Sequence, residues 1–170
     1  MLSTKTRSLA IVLAVAVTSA PAAFASAHST LTKAQVIQRG SVICRAAERR
    51  VEATPGPRAQ NPFASTAPKG DRDRALKFIA VYASSLSDVR TGLAKLVPLA
   101  PSRGRPLLAS FVAQLVPTIA AFRAGHAAAL EHRYNRALAE VQRGFALFAH
   151  ASVKTKAYGF PRGVCQSGSS

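Results

Sequence analysis

Acidic side chains are scarce in this chain: seven of its 170 residues are Asp or Glu, against 23 Lys and Arg. That shortage excludes most carboxylate chemistry at once. The closest acidic pair, Glu48 and Glu52, is spaced i,i+4 on a helical pattern, and Arg45 and Arg49 stand three residues before them. Weak surface ion pairing is therefore the expected role, rather than an acid and a base with split pKa values. The paired E-x-x-H signature of di-iron bundles is missing, because Tyr134 stands three residues after Glu131. No H-E-x-x-H, S-x-x-K, G-x-S-x-G, C-x-x-C or glycine-rich phosphate loop occurs. The four histidines, His28, His126, His132 and His150, share no i,i+3 or i,i+4 relation. No catalytic residue and no cofactor is expected.

The segment "MLSTKTRSLAIVLAVAVTSAPAAFASAHST" has a basic start at Lys5 and Arg7, an apolar run from Leu9 to Val17, and small residues after it. This is the pattern of a secretory signal peptide. Ala23-Phe24-Ala25 and Ala25-Ser26-Ala27 both fit the cleavage rule, and residues 1–27 are taken as the leader. The remainder, 28–170, has the length of a single domain. No cysteine stands at the leader's end to accept a lipid. No further segment reads as a bilayer span, and a secreted or extracytoplasmic location at the cell envelope is expected. Cleavage after Ala25 would expose Ser26-Ala27-His28, whose amine, amides and imidazole form a weak candidate site for copper or nickel at His28.

An exported chain meets an oxidising compartment, where two cysteines are more often a bridge than a metal or redox site. Cys44 and Cys165 have only each other. The leader holds two of the cations, so the mature domain keeps a net charge of about +14, down from +16 for the whole chain. Outside the cell that bias favours anionic lipid, wall polymer or acidic glycan over any specific nucleic acid. Arg45, Arg49, Arg50, Arg72, Arg74, Arg133 and Arg136 are the candidate contacts for such partners.

Four helices are predicted. Thr32 caps the first, with Gln35 as capping-box partner and Leu31 and Val36 as a hydrophobic staple. Val36, Gly40, Cys44, Ala47 and Val51 share its inner face. Residues 54–70 carry four prolines and no period, and read as a loosely packed or mobile loop. A second helix begins at Asp71, with Ala75, Ile79, Tyr82, Leu86, Val89 and Leu93 in strict four-three alternation, and ends before Pro98. The third presents Leu108, Phe111, Leu115, Ile119 and Phe122 and is expected to kink at Pro117. Gly125 and His126 suggest a turn into a fourth helix closed by Gly159 and Pro161, although helices three and four could also form one rod.

The expected fold is an all-α, up-down-up-down four-helix bundle stapled by one disulfide. Cys44 lies roughly 18 Å up the first helix, and the six residues after Gly159 reach about 20 Å when extended. Cys165 can therefore close the bridge.

"SVICRAAERR" near the mature start and "AYGFPRGVC" near the end resemble a loose group of secreted or lipid-anchored actinobacterial helical proteins with one cysteine near each end of the domain. The resemblance implies a fold and a location, and transfers no catalytic residue. The leading functional reading is a non-enzymatic exported bundle that binds, or serves structurally, at the envelope through its basic surface. The alternative is a carrier of a small apolar ligand in the bundle core, with its cavity near Pro117. An enzyme ranks third.

Overall fold

A computed structural model describes residues 30–166. Residues 1–29, which include the expected leader and His28, and the last four residues lie outside that range. Four α-helices form the described chain: α1 (Lys33–Glu52), α2 (Asp71–Leu96), α3 (Arg105–Leu130) and α4 (Tyr134–Tyr158). They pack as an all-α four-helix bundle.

The start of α1 follows its sequence signals closely. The Thr32 hydroxyl accepts from the Gln35 amide at 3.2 Å, and the Gln35 side chain accepts from the Thr32 amide at 2.9 Å. Two of the donors that every helix start leaves open are thereby satisfied. Val36 and Cys44 are fully buried on the inner face, and Leu31 packs against the core. The α1–α2 pair is antiparallel, as rising positions on α1 meet falling ones on α2. A Cβ on Gly40 would lie 3.1 Å from Leu93, a Cβ on Gly92 would lie 2.9 Å from Ile43, and Arg50 pairs with Asp88.

Residues 54–70 do not form the loose loop that their prolines suggested. Asp71, wholly buried at the start of α2, accepts hydrogen bonds from the loop amides of Arg58 at 3.0 Å and Ala59 at 2.8 Å. Its other oxygen pairs with Arg74. Phe63 is buried and stacks on Tyr134 with ring centroids 5.3 Å apart, while Arg72 covers the Tyr134 ring at 4.4 Å. One buried carboxylate and one aromatic stack thus hold the loop across the tops of α2 and α4.

The turn after α3 also differs from expectation. Helix α3 runs straight through Gly125 and His126 and ends at Leu130. His132 takes the left-handed conformation (φ 59°) there, the Arg133 amide donates to Ala128 at 2.8 Å, and the His132 amide donates to Ala129 at 3.1 Å. This is a Schellman ending built on histidine, one of the residues that tolerates positive φ. Gly125 serves packing instead: a Cβ there would meet Val141 at 2.9 Å and the Ala137 carbonyl at 3.1 Å. Pro117 stands inside α3, which continues on both sides of it. Helix α3 is the one helix among the described residues that meets the length and hydropathy of a membrane span, at a mean hydropathy of 1.5, which the sequence reading did not anticipate. It lies between α2 and α4 and buries Leu108, Phe111, Leu115 and Phe122 against them.

Extensive helix contacts join only sequence neighbours: α1 with α2, α2 with α3, and α3 with α4. Along the open side between α1 and α4 runs the tail. Gly159 ends α4 in a second Schellman motif at φ 105°, after which Phe160, Val164 and Cys165 are buried. The Phe160 ring sits against Gly40 so closely that a Cβ there would lie 2.7 Å away. Burying a phenylalanine contributes about 1.5–3 kcal/mol. Cys165 then bonds to Cys44 with 5.3 Å between their Cα atoms, inside the usual window for a bridge.

Candidate functional site

Beside the disulfide, α1, α2 and the described part of the tail surround a hollow. A cavity of about 250 Å³ lies there, larger than a 150 Å³ cavity that holds benzene and just below the usual range for small-molecule sites. Its apolar walls come from all four helices, with Val51 on α1, Tyr82, Leu86 and Val89 on α2, Phe111 on α3 and Phe148 on α4. The tail supplies Gly163, Cys165 and Gln166. The bundle seam predicted from the sequence brings these aromatic and aliphatic side chains together, but Pro117, where a cavity was expected, does not line the space.

Three polar side chains from the helices reach this cavity. Glu48 and Glu52 stand one turn apart on α1, and Ser85 faces them from α2. The ion pairs expected between Arg45 and Glu48, and between Arg49 and Glu52, do not form. The four salt bridges among the described residues are Arg50–Asp88, Arg74–Asp71, Arg133–Glu131 and Arg143–Glu140. Instead Glu48 accepts a hydrogen bond from the Cys165 amide at 3.1 Å. Thr155 on α4 donates to the Cys165 carbonyl at 3.2 Å, so Cys165 is gripped from both helices while its own φ is left-handed at 54°. Burial pushes the Glu48 carboxyl above its ordinary value; the Cys165 amide opposes that shift, Glu52 adds to it, and Arg45 and Arg49 reduce it. Tyr82, in the opposite wall, is pushed up to about 12 by burial.

Several helix hydroxyls bond back to the preceding turn, as Ser84 does to Val81, Thr91 to Ser87, Thr118 to Gln114 and Ser152 to Ala149. Those of Ser41, Ser85 and Tyr158 are buried with no partner, and of these three residues Ser85 lines the cavity. Ser85 is 2 % exposed, and its Oγ has no partner. An unsatisfied buried hydroxyl costs about 1–3 kcal/mol. A second hollow, about 280 Å³, lies against the loop at Pro62, Pro68, Lys69 and Arg72. None of its lining side chains is buried without a partner among the described residues.

The nominated arginines divide into two groups. Arg72, Arg74, Arg133 and Arg136 belong to the starts of α2 and α4, and Arg45, Arg49 and Arg50 to α1. Arg50 meets Asp88, which lies about 24 Å along α2 from Arg72. Arg50, Arg74 and Arg133 are ion-paired, Arg72 is stacked on Tyr134, and Arg45, Arg49 and Arg136 are exposed. Among the described residues no group of three or more His, Cys, Asp or Glu side chains is placed to hold a metal.

Fold and site together define a disulfide-stapled helical bundle with an apolar cavity beside its staple. Comparison with protein-family models, curated proteins and solved structures finds no match to this chain.

Proposed function

We propose that this is an exported, non-enzymatic binding protein that carries a small, largely apolar ligand in the cavity formed mainly by α1, α2 and the tail. The observation that carries the reading is the cavity of about 250 Å³, walled by Tyr82, Leu86, Phe111 and Phe148, with Glu48 and Glu52 at its α1 side. Bundle cores fill such spaces when packing alone is at stake. Ligand sites instead keep an apolar hollow with a few polar groups. The disulfide is compatible with an extracytoplasmic location, and the leader-like start supports one.

Calorimetric titration with 2-phenylethanol, a neutral ligand of one aromatic ring, tests the reading. Saturable binding is expected in the wild type and should be weaker in Ala47→Leu, because Ala47 lines the cavity and a leucine there narrows it. Absence of saturable uptake, or equal uptake by a folded Ala47→Leu protein, overturns the proposal.

A second role rests on charge. Even with every carboxylate paired, 16 cations stay in surplus over the whole chain, which favours retention at anionic lipid, wall polymer or glycan. Retention on phosphatidylglycerol vesicles should fall steeply as ionic strength rises; salt-independent retention removes this role.

A further inference from the structure

We infer that the ligand of this cavity is an organic ammonium ion with an aromatic or short aliphatic body, its charge seated between Glu48 and Glu52. The inference rests on the proposal that the cavity binds a small molecule, and it goes further by fixing the charge of that molecule.

The distribution of charge carries the argument. The chain has only seven carboxylates and 23 cationic side chains. Yet both charged residues lining the cavity are carboxylates, and neither takes part in a salt bridge. Arg45 and Arg49, the cations nearest to them in sequence, are exposed and do not line the space. An anionic head group entering here would meet Glu48 and Glu52, whereas an ammonium would be drawn to them. Glu48 has one hydrogen bond, from Cys165 at 3.1 Å, to its Oε1, which leaves acceptor capacity on its other oxygen.

The walls fit the same ligand. Tyr82, Phe111 and Phe148 all line the space, and aromatic faces attract a desolvated cation as well as an apolar body. Tyr82 is fixed by neighbouring rings, with Phe122 at 4.7 Å, Phe145 at 5.2 Å and Phe148 at 6.3 Å between centroids. A rigid aromatic wall opposite two carboxylates is a pre-formed box for an ammonium ion. Burial also holds the Glu48 carboxyl above its ordinary value, and a cation beside it would oppose that shift.

Three near-isosteric probes separate charge from shape: 2-phenylethylammonium, 2-phenylethanol and 3-phenylpropionate, titrated calorimetrically into the full mature chain at neutral pH. The ammonium should bind at least tenfold more tightly than the alcohol, and the carboxylate more weakly than either. In Glu52→Gln, an exposed substitution that leaves the Cys165 contact intact, the preference should shrink severalfold. In Glu48→Gln/Glu52→Gln it should vanish while the alcohol still binds. Equal affinity for ammonium and alcohol, preference for the carboxylate, or an ammonium preference that survives the double substitution overturns the inference and leaves the cavity proposal standing. Failure of all three probes to bind refutes the cavity proposal itself.

Discussion

Replacing both cysteines with alanine tests how the bundle is closed. The bridge spans 121 residues of sequence, and removing a cross-link over a loop of that length releases about 5 kcal/mol of chain entropy to the denatured state. The native side should change little. Phe160 and Val164 on the tail are each 5 % exposed, and Thr155 and Glu48 hold the backbone of Cys165 independently of sulfur. The penalty therefore belongs to the unfolded chain, and a loss of about 4–5 kcal/mol is expected, equivalent to about 12 °C in Tm for a domain of this size. Guanidinium denaturation followed by helical circular dichroism reads it directly. The midpoint should fall, and the m-value should rise because the unlinked denatured chain exposes more surface. A loss under 1 kcal/mol would mean that the unlinked denatured chain gains little freedom, and would refute the chain-entropy account. An unchanged m-value would refute the denatured-state argument.

Two further outcomes follow from particular contacts. Asp71 is held below the ordinary carboxyl value of 3.8, first by its hydrogen bond from Arg74 and then by the amides of Ala59 and Arg58, against the opposing effect of burial. A depressed carboxyl stabilises the fold fully above its unfolded value and loses that contribution as pH falls through the folded one. Asp71→Asn should therefore lower the urea midpoint at neutral pH, and the gap from wild type should close in acid well below 3.8; a gap independent of pH contradicts the assignment. Gly144→Ala should destabilise by about 1–2 kcal/mol by overpacking, because the new methyl would lie 2.8–3.0 Å from the ring of Phe122, which is 1 % exposed. Thermal melts that match wild type would show that the ring gives way freely.

Much of the bundle was legible in the sequence because the signals there are local. The Thr32–Gln35 cap, the four-three seam of α2 and the Gly159 stop each depend on residues within one or two turns, and all three appear in place. The reach of Cys165 to Cys44 followed from helix rise and extended-chain length alone. Legibility failed where a local signal served a distant contact. Gly125 resembled a turn, but its missing side chain admits Val141 from the next helix. The prolines of 54–70 suggested slack, but Asp71 and Tyr134 hold the segment from outside it. The candidate site was hidden for a similar reason. Glu48 and Glu52 resembled ordinary surface charges beside arginines, and only the tail, arriving more than a hundred residues later, places Cys165 on Glu48 and leaves the hollow beside it. Ser85 sits next to the predicted seam and carries no sequence signal that its hydroxyl lacks a partner.

The chain has no tryptophan and three tyrosines, and the fold distributes those three as if for separate observation. Tyr82 stands in the cavity wall, Tyr134 lies between Phe63 and Arg72 where the loop crosses the bundle, and Tyr158 is buried at the opposite end with Lys33 5.8 Å from its ring. Ultraviolet emission from single-tyrosine variants would thus follow ligand entry, loop release and undocking of the tail as three independent optical channels, without any attached dye.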